Sequence, residues 1–216
     1  MSTTDGRRGS TGPWTFPDAV PGRLPQWVQR AWLVERLEPA VDALAAAGLA
    51  DRFQVRDHPP IEVAVTLDGQ AEPQAPAGDS AWPHRSAFGR ARGSALTRSE
   101  PGGTEAWMVE LVELVGEPGD AVFDLPTFAG VEPIPASGLV VAVLDGREHH
   151  RAFAVEALDV ELGRLERTHG PLGRFVGASA GGIRFAMVDT VEACGWATEI
   201  YERSPRLASF YGAILG

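Results

Sequence analysis

The hydrophobic and polar positions change period twice between His149 and Glu202. Phe153 and Val155 alternate with Ala152 and Ala154, the two-residue period of a strand. After Glu156, Leu158, Leu162 and Leu165 recur at three- and four-residue steps, one face of an amphipathic helix that Gly170-Pro171 ends. A short glycine-containing passage follows. Alternation then returns at Ile183, Phe185 and Met187. Asp189-Thr190 begins a turn that Ala193-Cys194-Gly195 continues, and Trp196 to Tyr201 reads as a strand with Glu199 at its centre. The order is strand, helix, then several strands.

Residues 27–57 repeat that order. Val28 to Val34 reads as a strand, Leu37, Val41 and Leu44 mark a helical face, Gly48 stops the helix, and Phe53 and Val55 lie in the next strand. Trp107 to Val115 closes this unit, with Glu110 in its middle. The matched order predicts an internal duplication. Parity on the first strand puts Gln29, Ala31 and Leu33 on one face and Arg30, Trp32 and Val34 on the other. The second unit has His150, Ala152 and Ala154 opposite Arg151, Phe153 and Val155. In both, a polar side chain is followed two residues later by alanine, which leaves room on that face. The same parity selects His150 over His149.

Residues 1–25 are rich in Gly, Pro, Ser, Thr and Arg and read as a flexible N-terminal arm, with Trp14 and Phe16 able to pin it to the body. The first module is expected over 26–115. Within it 60–68 reads as a strand, and 69–105 as an insertion, a solvated loop or a lid, whose aromatic-rich point is Trp82-Pro83-His84. Residues 116–148 read as a linker, in which the β-branched run Leu139 to Leu144 predicts a strand. The second module takes 149–216. It ends in a helix with Leu207, Phe210, Tyr211 and Ile214 on one face and Ser204-Pro205 as its cap.

Composition narrows the classes. The chain has 216 residues, 44% of them hydrophobic, enough for a sizeable core. The net charge of −10 and the lack of a basic stretch exclude nucleic acid as the main partner. Every basic residue apart from histidine is arginine. A single cysteine, Cys194, excludes an internal disulfide and reads as a packing residue. No membrane-length apolar run and no signal-like start are present, so a cytoplasmic protein without a membrane partner is expected.

Together, the segments HHRAFAVEALDVELGRLE, IRFAMVDTVEACGWATEIYE and QRAWLVERLEPAVDAL resemble the vicinal oxygen chelate superfamily, the glyoxalase I and methylmalonyl-CoA epimerase group. The resemblance covers residues 26–211 in outline. It implies an α+β fold of paired βαβββ modules forming a curled mixed sheet around a central cup. In the glyoxalase-like branch each module gives two metal ligands, one from its first strand and one from its last. By position these are Gln29 and Glu110 from the first module, and His150 and Glu199 from the second. Such a set implies one divalent ion, with Zn, Ni, Fe(II), Co, Mn and Mg all compatible.

Taken singly, Gln29 and Glu110 read as ordinary polar strand residues. Glu199 stands out, because an unpaired carboxylate among the apolar residues of WATEIY is costly to bury. The chemistry implied by the resemblance is proton transfer next to a carbonyl, through an enediolate or enolate, on a small-molecule carbonyl substrate. Glu199 is the first candidate base and Glu110 the second. Trp32, Trp107 and Trp196 are candidates for an apolar wall, and Arg151 and Arg184 for holding a substrate carboxylate. Where relatives carry Gly-His before the last ligand, this chain has Gly195-Trp196. The expectation is a metal-dependent isomerase or lyase of the lactoylglutathione lyase type. A CoA-thioester epimerase and a non-catalytic sequestering protein are the alternatives, and a monomer or a homodimer is compatible with each.

Overall fold

The computed structural model describes residues 27–58, 63–66, 83–92, 96, 99–100, 103–104, 108–116, 131–179 and 181–215. The expected arm at 1–25, Trp82 and Trp107 lie outside the described residues. The first module contains β1 (Trp27–Leu33), α1 (Leu37–Ala46), β2 (Ala50–His58), β3 (Val63–Thr66), β4 (His84–Ala91), the short pair β5 (Ser99–Glu100) and β6 (Gly103–Thr104), and β7 (Met108–Leu114). Next comes α2 (Ala136–Leu144). The second module contains β8 (His150–Val155), α3 (Leu158–His169), β9 (Arg174–Ala178), β10 (Arg184–Val188), α4 (Val191–Cys194), β11 (Ala197–Glu202) and α5 (Pro205–Leu215).

Nine strands form one sheet in the order β2-β4-β7-β1-β8-β11-β10-β9-β3. Each module pairs its first strand with its last in parallel, β1 with β7 and β8 with β11. The antiparallel β1–β8 pair joins the modules within one chain. The fold is therefore α+β, with paired βαβββ modules in a mixed sheet. That sheet must curl. Its terminal strands β2 and β3 would stand about 38 Å apart in a flat sheet of this width. Only the links between His58 and Val63 connect them, and these reach at most about 18 Å.

Helices α1, α2 and α3 cover the outer face. Trp32, Leu111 and Ala87 pack there with Leu37, Ala40 and Leu44 of α1 and Leu139, Ala142 and Val143 of α2. Burying an indole as completely as Trp32 contributes about 2–3 kcal/mol. In the second module Phe153, Ala186, Val188 and Ile200 pack on Leu158, Leu162 and Leu165 of α3. The concave face carries two further apolar clusters. One joins Leu33, Val63, Val112, Phe175, Phe185, Met187 and Ala197. The other sets Ile214, Phe210 and Tyr211 of α5 against Phe88 and Met108.

Two expectations need correction. The run Leu139 to Leu144 is helical, not a strand: its buried residues Leu139, Ala142 and Val143 follow helical spacing on α1, while Val141 and Leu144 are exposed. Tertiary burial overrides β-propensity here. The span 69–105 is not only an inserted loop, since β4 lies in it and pairs with both β2 and β7. The strand expected over 60–68 is present as β3, which pairs with β9 at the far edge of the sheet. The glycine-containing passage also holds a strand, β9.

Candidate metal centre

Two identical registers build the site. Glu110 on β7 stands opposite Ala31 on β1, and Glu199 on β11 stands opposite Ala152 on β8. Each alanine lies two residues after its module's first-strand polar residue, Gln29 or His150. The antiparallel β1–β8 pair sets Gln29 beside Ala152 and Ala31 beside His150. Four polar side chains thus surround a floor of two fully buried alanines, and all four are buried themselves.

The donor atoms converge. Gln29 Nε2 donates to Glu110 Oε2 at 2.6 Å and to Glu199 Oε2 at 2.9 Å. His150 Nε2 lies 3.3 Å from Glu110 Oε2 and 3.4 Å from Glu199 Oε2. Ligand atoms of Glu110, His150 and Glu199 all lie within 4.8 Å of one another. A surrounding shell orients them. Ser86 Oγ donates to Glu110 Oε1 at 2.8 Å, and Gln29 Nε2 lies 3.4 Å from the Tyr201 hydroxyl. His149 Nδ1 lies 2.9 Å from His150 Nδ1, which leaves His150 Nε2 facing the carboxylates.

Electrostatics follow from this crowding. Burial pushes the His150 pKa down, but the hydrogen bonds and charges of Glu110 and Glu199 outweigh it and raise the imidazole to about 9. Burial pushes Glu110 up, yet the bond and charge of His150, helped by Ser86, bring it below the ordinary carboxylate value. Burial dominates at Glu199 and leaves its carboxyl raised. Without a cation, the imidazolium of His150 holds the two carboxylates together.

The residues fit a divalent ion. One imidazole nitrogen and two carboxylate oxygens are hard-to-borderline donors, suited to Zn, Ni, Fe(II), Co, Mn or Mg. Gln29 Oε1 is buried with no hydrogen-bond partner among the described residues. A half-turn of that amide exchanges Nε2 for Oε1, so Gln29 can offer a carbonyl oxygen where it now donates.

The other candidates sit elsewhere. Trp32 does not line the cup: it is buried under α1 on the outer face. Arg151 is also on the outer face, stacked 3.6 Å from the Trp196 ring centroid and bonded to Glu148 Oε1 at 3.1 Å. Trp196 is therefore a partner of Arg151 rather than a wall of the cup. Arg184 pairs with Asp159 at 2.9 Å and with Glu202 at 3.2 Å on that same face. Trp107 lies outside the described residues. Three cup residues went unremarked as site residues in the sequence: Ser86, Tyr201 and Tyr211. Tyr201 shares the parity of Glu199, a signal that could have found it. Ser86 carries none.

No family model matches the chain, and no curated protein matches it. Several solved structures are similar. Methylmalonyl-CoA epimerase from Mycobacterium tuberculosis is 16% identical, with 85% of this chain and 91% of that chain covered and a TM-score of 0.42. Streptomyces coelicolor methylmalonyl-CoA epimerase in complex with 2-nitronate-propionyl-CoA is 13% identical, with 84% and 99% covered and a TM-score of 0.44. A hypothetical protein from Bacillus halodurans C-125 is 13% identical, with 83% and 94% covered and a TM-score of 0.42. At these identities and TM-scores none of them says what residues of this chain do. No described helix is long and apolar enough to cross a membrane.

Proposed function

We propose that this protein is a divalent-metal-dependent isomerase that moves a proton on a carbon next to a carbonyl. The observation that carries this reading is a buried carboxylate from each module, Glu110 and Glu199, converging with His150 and Gln29 over a floor of two alanines. Gln29, Glu110, His150 and Glu199 would hold the ion. When bound, it supplies Lewis-acid polarisation of a carbonyl oxygen.

The remaining work falls to the chain itself. Glu199 is the proton acceptor, a role for which its carboxylate would have to be free of the ion while substrate is bound. Glu110 comes from the other module and is the second base, which would return a proton from the opposite side. One base taking and returning the proton gives an isomerisation; two bases give inversion at carbon. The flanking apolar clusters exclude water, and Ala31 and Ala152 leave space for the substrate. A glyoxalase-like lyase uses this same proton chemistry. The carboxylate on each module favours an epimerase, and a CoA thioester with an acidic α-proton is a substrate class that such an epimerase would take.

Elemental analysis by inductively coupled plasma mass spectrometry tests the metal, and solvent-deuterium exchange into methylmalonyl-CoA and into the methylglyoxal–glutathione hemithioacetal tests the chemistry. Near-stoichiometric metal in wild type, lost in His150→Ala and Glu199→Ala, is expected. Exchange into one substrate should fall about 10²–10⁴-fold in Glu199→Gln. Wild type that holds no metal after incubation with Ni, Zn, Mn and Fe(II) would sink this reading. Bound metal with no exchange into any carbonyl substrate would favour a sequestering protein.

A further inference from the structure

The C-terminal helix carries toward the cup a hydroxyl that none of the described residues uses. The chain leaves β11 at Glu202, and Ser204 Oγ accepts from the Leu207 N–H at 3.1 Å to start α5. From there α5 crosses from the second module to the first. Its start is tied to the β9–β10 turn, where Arg206 donates to the Gly181 carbonyl. Its end is tied to β2, where Gln54 Nε2 donates to the Ala213 carbonyl at 3.0 Å. Phe210 meets the Phe88 ring edge-on at 4.9 Å, and Ile214 is fully buried beside it. Tyr211 follows Phe210 on this inward side, its ring 6.5 Å from that of Tyr201 and nearly perpendicular to it.

The Tyr211 hydroxyl is sealed from solvent and has no hydrogen-bond partner among the described residues. Burial raises the pKa of this phenol well above its ordinary value, and the charges of Glu199 and Glu110 push it further in the same direction, so it remains a proton donor. An orphaned buried hydroxyl weakens the fold, and phenylalanine would give the same ring packing without that cost. The hydroxyl therefore needs a partner that none of the described residues supplies.

We infer that Tyr211 is a substrate-contacting residue that donates a hydrogen bond to an oxygen of the molecule bound between Glu110 and Glu199. This rests on the metal-dependent reading above and narrows its substrate. The ligand is a compact molecule with an oxygen within reach of the phenol. It is held over the alanine floor by the centre and capped by the phenol from α5. The apolar side of the cap, Phe88 and Phe210, faces its carbon skeleton.

Acetohydroxamate, a compact ligand whose oxygens can accept a hydrogen bond, probes the assignment. Co(II)-loaded wild type and Tyr211→Phe are titrated with it and followed by the visible absorption of cobalt, with cobalt content and thermal midpoint measured for both. Binding about 10- to 100-fold weaker in Tyr211→Phe, with cobalt content equal and the midpoint unchanged or higher, is expected. Affinities within about twofold overturn the role of Tyr211 and leave the metal centre standing. Wild type that takes up cobalt but binds no hydroxamate overturns the compact oxygen ligand and the role of Tyr211 with it. If neither protein takes up cobalt, the metal reading itself fails and this assignment falls with it.

Discussion

Stability of the metal-free protein should fall as the solution is made alkaline. His150 is fully buried between two carboxylates, and its folded-state pKa is raised from 6.5 to about 9. A raised pKa contributes stability that is complete below the unfolded value and is lost as pH rises through the folded one. At ~1.4 kcal/mol for each tenfold change in proton affinity, the full effect is about 3 kcal/mol, lost between about pH 6 and about pH 9. Glu199, also raised, acts in the same sense from the acid side. Glu110 is lowered, so its contribution is present at neutral pH and is lost only as acid protonates it. A loss of ~3 kcal/mol is a large share of the 5–15 kcal/mol that holds an ordinary domain. Urea denaturation of chelator-treated protein across this range measures it directly. His150→Asn should be less stable at neutral pH and flat across the same window. With saturating Zn the slope should reverse, because a metal ligand must be neutral imidazole and each released proton favours the bound state. A metal-free curve that is flat, or an equal fall in His150→Asn, would show that no imidazolium bridges the carboxylates.

Two further outcomes test the supports of the cup. A Cβ on Gly177 would stand 2.9 Å from Val63 Cγ1 and 3.2 Å from Phe185 Cζ. Gly177→Ala should therefore cost about 1–3 kcal/mol in denaturant unfolding. It should also speed amide hydrogen exchange over Val63–Thr66 before the rest of the sheet; unchanged exchange there would mean that β3 does not depend on this contact. Ser204→Ala removes the side-chain acceptor at the start of α5 and should cost about 1 kcal/mol by the same measurement. No loss would mean that the helix is held by its packed face alone.

How much of this could be read from the chain varies by element. Gln29 and His150 were legible because each is a polar strand residue followed at i+2 by alanine, and the two first strands keep that parity in matching registers, whereas Glu110 and Glu199 followed only from the family resemblance, by their position on the last strand of each module. The same parity already separated Trp32 from Gln29 and Arg151 from His150. Their assignment to the pocket set that signal aside in favour of residue type. The helix α5 was legible from its spacing and cap. The strand β4 was not, because its cup-facing positions include His84 and Ser86 while Ala87 and Gly89 lie on its outer face. A strand whose buried inward face is polar shows no hydrophobic alternation. The run Leu139 to Leu144 misled for the opposite reason. It is apolar all round, so its period says nothing and only packing on α1 decides it. Tyr211 shares the helical spacing of Leu207 and Ile214, so its position alone does not separate it from a packing residue; what distinguishes it is a hydroxyl with no partner among the described residues.

The duplication accounts for the donors but not for the closure of the cup, which comes from two unmatched elements. β3 belongs to the first module by sequence and pairs with β9 of the second. α5 belongs to the second module and packs on β4 and β2 of the first. Each module therefore carries the piece that closes over the other. Along β7 the consequence can be followed residue by residue. Met108 packs under α5, Glu110 joins the centre, and Val112 packs with Val63 of β3. The polar residue sits between the two crossings. Buried charge survives in such a place only if its partners are held in position, since desolvation outweighs a loose pairing. The crossings supply that constraint. They also tie the modules together, because separating them would break β1 from β8 and remove both closures at once. The site and the cooperativity of the fold therefore depend on the same two contacts, so loosening β3 or α5 should disturb the donors before it unfolds either module.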